Sequence, residues 1–314
     1  MKLYAAALDF RAVAREFGVP ETFAPEVHAD AAAASERRAA RTDLRDVPFV
    51  TIDPPGSMDL DQAMHLTTLD GDGADGEPTS CDVYPGLVRS VARLEYMEVQ
   101  ATFDAGDPHP SIAALPELGR ARQGSALRRE AINLRLPSQT VAPTGDGRWE
   151  LHLDARPPVM DFNSEISLLA GMVAGQMMAE AGVGVLRTLR PAGEEALAEF
   201  RVAARALGYE LADGAGVAEV SAFLAGVDAD SPRGMAVMKD ASRLLRGSGY
   251  QRLGALDDGS AEASEGVPVH SGVGGPYAHV TAPLRRLIDR FGLEYCLAIA
   301  AHRRGETATL EVPA

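Results

Sequence analysis

The stretch TIDPPGSMDLDQAMHL, residues 51–66, places Asp53, Asp59 and Asp61 within nine positions. Pro54, Pro55 and Gly56 bend the chain between the first acid and the second. Asp59 and Asp61 are two apart, so on an extended segment both carboxylates point to one side, and the turn can bring Asp53 back to face them. Carboxylates held about 4 Å apart repel by roughly 1 to 4 kcal/mol per pair at surface-like dielectric. Such a group is favourable only around a cation. Magnesium prefers oxygen ligands and keeps several waters, which are the nucleophile that phosphodiester hydrolysis needs. Read alone, the three acids are equally consistent with turn and cap residues at the surface, where Asp commonly follows a strand.

A second stretch, GGPYAHVTAPLRRLIDRFG, residues 274–292, lies more than two hundred residues further on. Pro283 predicts a helix start in a position where a missing N–H costs nothing, with the helix running to about His302. Arg285 and Arg286 then fall in its first turn. Cations are disfavoured at a helix N-terminus, whereas its free N–H groups attract anions, so paired arginines there point to a phosphate. Arg285 can grip two phosphate oxygens in a fork. Arg286 and Arg290 are also consistent with simple solvation.

Together the two stretches resemble the catalytic domain of the ribonuclease II family, the RNB domain. Its signature is a strand ending in Ile-Asp, a short turn and an Asp-x-Asp-Asp run, and its other hallmark is a Tyr-x-His followed by a Ser-Pro-Ile-Arg-like helix start. LVRSVARLEYMEVQ and DFNSEISLLAGMVAGQMMAEAGVGVLRTL are similar to the parts between them. The resemblance implies an α+β fold, with a mixed, mainly antiparallel sheet wrapped by helices. It implies that Asp53, Asp59, Asp61 and Gln62 surround magnesium, or manganese in its place, and that Arg285 steadies charge on the scissile phosphate. Asp53, Asp59, Asp61 and Arg285 are thus the expected catalytic residues. Glu165 is expected at the 3′ nucleotide, with Tyr277, His279 and Arg286 along a single-stranded RNA. For His279 a structural hydrogen bond is an equal alternative. Two departures stand out. Gln62 replaces the fourth acid, offering a carbonyl oxygen without charge. After Leu69 the family's Tyr-Ala-Ile-Ala-Asp strand and the stretch beyond it are missing. The expectation is a compact member without flanking RNA-binding barrels and without a segment near residues 70–77.

The elements that must position these residues are legible in outline. Residues 1–45 read as a helical preface and 46–314 as the catalytic domain. VPFVTID reads as a strand stopped by the prolines, and 81–94 as interrupted strands. Helices are predicted at 96–105, 116–132, 193–207, 216–225 and 234–246, and a strand at 148–154. The apolar run 164–181 predicts a central helix, with Gly171 and Gly175 four apart so that another backbone can approach. Arg120, Arg122, Arg128 and Arg129 read as a solvated helix face. DGDGADGEPTS, from Asp70, is a surface turn, since Ala74 and Asp75 break the calcium-loop pattern.

Thirty Lys and Arg against forty-five Asp and Glu give a net charge of −15, which disfavours nucleic acid for the average surface but not for a local groove. Cys81 and Cys296 are too few for a disulfide framework or zinc site and read as small buried residues. No stretch approaches about eighteen uninterrupted apolar residues, so a cytoplasmic protein is expected. The function expected is a magnesium-dependent 3′-to-5′ exoribonuclease. The alternative is an RNB-like RNA-binding or regulatory protein weakened by Gln62 and the missing segment. A phosphohydrolase of smaller substrates ranks behind both. Gly247-Ser248-Gly249 lacks the spacing of a serine-hydrolase elbow, and GVGG at 272–275 lacks the Lys of a phosphate loop.

Overall fold

A computed structural model describes residues 10–20, 22–35, 41–53, 56–58, 63–67, 75–146, 148–154, 156–254 and 266–306. In chain order the elements are α1 (Phe10–Glu16), α2 (Pro25–Ala33), β1 (Thr42–Asp43), β2 (Gly86–Leu87), α3 (Tyr96–Asp104), α4 (Leu115–Arg128), β3 (Ser138–Pro143) and β4 (Trp149–Asp154). They continue with α5 (Pro158–Ala181), β5 (Gly184–Thr188), α6 (Glu194–Ala206), α7 (Val217–Ala225), α8 (Pro232–Ala241), β6 (Gly249–Leu253) and α9 (Leu287–Arg303). The chain divides into two compact units, residues 1–41 with 137–155 and residues 42–136 with 156–314. In the first, β3 and β4 form an antiparallel hairpin in register from Ser138↔Asp154 to Pro143↔Trp149.

The second unit is built around α5. Pro158 starts this 24-residue helix and Gly182, at φ 67°, ends it. The Gly182 N–H donates to Ala179 O and the Val183 N–H to Met178 O, a Schellman closure that needs glycine at the left-handed position. Phe162 and Val159 at its beginning pack with Ile52, Val99, Ile112 and Leu115. Ala174, Met177 and Met178 at its end pack with Leu186, Ala278, Val280, Cys296 and Ile299. A third core lies among α6, α7 and α8, through Leu197, Phe200, Val220, Leu224, Val237 and Met238.

Gly171 and Gly175 do what their spacing predicts. A Cβ on Gly175 would stand 2.6 Å from Tyr277 N, and one on Gly171 2.8 Å from Ala278 O, so the 276–278 backbone lies directly on the helix. The Ala278 N–H donates to Gly171 O at 2.9 Å, a helix carbonyl recruited by the crossing chain. On its other edge Tyr277 O accepts from the Arg187 N–H of β5 at 2.8 Å.

The helices fall close to their expected positions, and the chain is mixed α+β and rich in helix. The sheet is smaller than expected. Among the described residues there are three separate two-stranded ladders, β1–β2 parallel and the β3–β4 and β5–β6 pairs antiparallel. Residues 47–53 contribute only the isolated bridges Val50↔Met64 and Asp53↔Glu95. The last helix begins at Leu287, four residues later than predicted, because Asp289 in its first turn captures the Ala282 N–H at 2.8 Å and holds residues 282–286 in a turn. Cys296 is buried as expected, but Cys81 is exposed.

Gly175→Ala is expected to destabilise the protein by about 1 to 3 kcal/mol, because backbone atoms of Tyr277 must move. Gly124→Ala, whose Cβ meets only Arg128 Nη1 at 3.6 Å, should be neutral or stabilising in the same thermal melts. Equal melting temperatures for the two variants would contradict the close crossing.

Candidate functional site

Of the four residues expected around a metal, Asp59, Asp61 and Gln62 lie outside the described residues. Asp53 is half-buried, and its Oδ2 accepts from Thr51 Oγ1 at 2.7 Å, which sets the rotation of the carboxylate. Asn163 of α5 anchors this segment, donating to Ile52 O at 3.3 Å and to the Tyr96 hydroxyl at 3.0 Å. Burial raises the Tyr96 hydroxyl pKa, and the nearby Asp53 charge adds to it against the Asn163 hydrogen bond. Among the described residues no three acids, histidines or cysteines gather as a metal cluster.

Glu165 lies two residues beyond Asn163, and two residues of helix turn about 200°, so it faces another way. Only 1% exposed, it accepts from Asn133 Nδ2 at 3.1 Å through Oε1, while Oε2 is buried with no partner among the described residues. Burial raises its pKa against the pull of Arg122 and Arg129. Arg122 is 0% exposed, which corrects the expectation of a solvated arginine face. Its burial is made tolerable by bonds to Gly76 O at 2.7 Å and Glu77 Oε2 at 3.1 Å. Arg129 also pairs with Glu77 at 3.1 Å, and Ser125 donates to the same carboxylate. Burial works to raise the Glu77 pKa, but the Ser125 bond and the two arginines outweigh it. The end of the glycine-rich stretch is therefore tied down on α4. Residues 68–74 lie outside the described residues.

The second motif forms the other group of polar side chains. Tyr277 and His279 stand in edge contact at 5.7 Å between ring centroids, and His270 lies 5.4 Å from Tyr277. The Tyr250 hydroxyl is 2.8 Å from His279 Nδ1, and the Arg187 guanidinium lies over the Tyr250 ring at 4.7 Å. Burial drives the His279 pKa down to about 4, helped by Arg286, Arg187 and His270 and opposed by Asp289. Neutral His279 carries a single ring N–H, so its tautomer sets which of the two groups donates in this hydrogen bond. Arg285 is exposed in the turn before α9. Arg286 has an internal partner, Asp289, at 2.7 Å, and that carboxylate is 0% exposed. Its position near a helix start is thus accounted for by Asp289, without a phosphate.

A sequence profile of the RNB domain matches residues 72–291, well over half of the chain. The chain belongs to the RNB family. The match contains Glu165, Tyr277, His279, Arg285 and Arg286, and it begins after Asp53, Asp59, Asp61 and Gln62. No curated protein sequence matches the chain. Among solved structures, the apo form of Mycoplasma genitalium RNase R is similar at 15% identity and a TM-score of 0.69, over 94% of this chain and 56% of that one. The same enzyme in complex with ribose-methylated single-stranded RNA gives a TM-score of 0.68 at 15% identity, with the same 94% and 56% coverage. Its complex with double-stranded RNA gives 0.63 at 15% identity, over 96% of this chain and 64% of that one. The RNB-family chain thus spans little more than half the length of that enzyme, and at this identity the likeness concerns the fold. No helix among its described residues is long and apolar enough to cross a membrane.

In this RNB domain α5 holds both motif stretches, residues 52–53 through Asn163 and residues 276–278 through Gly171 and Gly175. Sequence reasoning missed Asn163, Tyr96, Arg187, Tyr250 and the Glu77–Arg122 pair. Each acts through a partner distant in sequence, and only the charge of Glu77 after a glycine-rich stretch was a usable signal.

His279 should titrate with a midpoint of about 4, measured by NMR on its ring protons. Its folded pKa lies below the unfolded value of 6.5, so the unfolded chain binds the proton more readily between the two. The associated stability is complete above about pH 6.5 and is lost as the pH falls towards 4, a decline that should be shallower in His279→Gln. A midpoint near 6.5 would contradict the buried, neutral assignment.

Proposed function

We propose that this RNB-family chain is a magnesium-dependent hydrolytic 3′-to-5′ exoribonuclease, acting on single-stranded RNA and releasing nucleoside 5′-monophosphates, with manganese able to replace magnesium. The observation that carries the reading is the RNB match itself, with the Tyr277–Arg286 motif seated on the central helix inside it. Residues 46–314 are taken as the catalytic domain, shortened near 70–77, and 1–45 as a helical segment preceding it. A cytoplasmic site of RNA degradation suits this activity.

Asp53, Asp59, Asp61 and the Gln62 carbonyl make an oxygen-only donor set, which fits magnesium, and Thr51 fixes the one carboxylate described. These residues would hold the ion, whose chemistry there would be to activate a water and offset phosphate charge. Arg285 donates to the scissile or neighbouring phosphate, where charge builds up in the transition state. Tyr277 and His279 flank the strand. His279 does so as a neutral ring, and Arg286 adds positive potential while remaining paired to Asp289. Glu165 is the acid assigned to the 3′ nucleotide, with Asn133 orienting its carboxyl group.

A second reading, an RNB-like RNA-binding or regulatory protein with little activity, is favoured by Gln62, which brings no charge to the metal position.

A single-stranded RNA labelled at its 5′ end should be shortened stepwise with magnesium and stay intact without it. Asp61→Asn keeps the shape and removes the charge. It should slow single-turnover cleavage on the order of a hundredfold or more while RNA binding persists or tightens. Equal cleavage by the two proteins would reject the catalytic role of Asp61. A wild type that retards RNA but never shortens it would establish the binding-protein reading.

A further inference from the structure

Residues 182–193, 241–254 and 266–288 carry seven arginines and no Asp or Glu, in a chain where acids outnumber bases forty-five to thirty. The fold brings these segments together. β5 and β6 pair from Gly184↔Leu253 to Thr188↔Gly249, Leu189 bridges His270, and Tyr277 O accepts from the Arg187 N–H. Acids border these segments: Asp257, Asp258, Glu262 and Glu265 lie outside the described residues, and the buried Asp289 pairs with Arg286, which leaves six arginines to set the local charge. Charge segregation on this scale raises the local positive potential of an otherwise acidic protein, and polyanions are drawn to such a sector.

Within it, Arg187 and Tyr250 are direct cross-strand partners, and the guanidinium lies over one face of the ring. The Tyr250 hydroxyl is bound to His279, and Arg187 is braced in turn by Ser248 Oγ at 2.5 Å and Gly249 O at 3.4 Å. Tyr250 nevertheless remains 48% exposed. An aromatic ring fixed at its edge, backed by a cation and half exposed is suited to a planar partner. Every nucleobase offers such a face. Arg252, two residues along β6, projects to the same side of the ladder and is exposed, as is Arg246 just before the strand.

We propose that Tyr250, backed by Arg187 and held by His279, is a stacking platform for one base of single-stranded RNA, with Arg246 and Arg252 meeting the flanking phosphates. The proposal rests on RNA as the ligand, and it needs no cleavage to occur. Tyr250 acts by binding the strand and positioning it beside Tyr277 and His279.

The test is equilibrium binding, in a chelator, of a short oligoadenylate carrying 2-aminopurine. Wild-type protein should quench the probe as the base stacks, and Tyr250→Phe should retain the quench. Tyr250→Ala should lose it and bind about tenfold more weakly. The combined change Arg246→Gln and Arg252→Gln should instead flatten the dependence of affinity on salt. Should Tyr250→Ala fold poorly, the ligand carries the test, since abasic positions in the oligonucleotide should weaken wild-type binding to a similar degree. Unchanged affinity and quench in a folded Tyr250→Ala, or indifference of the wild type to abasic positions, would overturn the platform and leave the exoribonuclease reading standing. A wild type that binds as described but never cleaves with magnesium would keep the platform and reject the nuclease. If the oligonucleotide does not bind at all, both fall.

Discussion

The crossing of residues 276–278 over Gly171 and Gly175 is the contact on which the rest of the second unit depends. Any side chain on those glycines would strike backbone, so the chain can lie on α5 only because both are bare. The crossing segment then shares its hydrogen bonds between helix and strand, Ala278 with Gly171 and Tyr277 with Arg187. Burial of Ala278, Val280 and Cys296 against Met177 and Met178 follows from that approach. So does the placement of His279 beside Tyr250, because the residue next to a fixed backbone has little freedom.

Charge is divided within the protein with comparable consequence. The average surface is acidic, yet the described parts of the β5, β6 and 266–288 sector are not. On α4, Arg122 is buried outright and is matched by Glu77 and the Gly76 carbonyl. Removing one partner of such a set leaves a buried charge uncompensated, which is costlier than never having buried the pair. The α4 cluster therefore holds Gly76 and Glu77 in place, while Arg190, Arg246 and Arg252, in and beside the β5–β6 ladder, are exposed at the surface.

Much of the helical frame was legible in the sequence, because its signals are local. The 3.6-residue rhythm of α5 and the spacing of Gly171 and Gly175 carry their meaning within one segment. What escaped depends on distant partners. The Arg122 side chain reads as a solvated cation until Glu77, forty-five residues earlier, is placed against it. Tyr250 and Arg187 are separated by the whole of α6, α7 and α8, so their stacking has no local trace. The late start of α9 is similar at shorter range, since Pro283 favours a helix start but Asp289 claims the Ala282 N–H and moves the start to Leu287. The sheet among the described residues is smaller than expected because β-branched texture marks a tendency to extend, whereas a ladder also needs a neighbouring strand in register, and 47–53 meet neighbours there only at isolated bridges. Of the acidic cluster, only Asp53 can be compared with its expected place.

Amide hydrogen exchange at Ala278 and Arg187 tests the central crossing most directly, because both N–H groups are bonded across it. Both should exchange in the slowest class, opening only with global unfolding and together with the amides of the middle of α5. Exchange at the rate of exposed loop amides, while α5 itself stays protected, would show that the 276–278 segment is not held by the helix and would contradict the account.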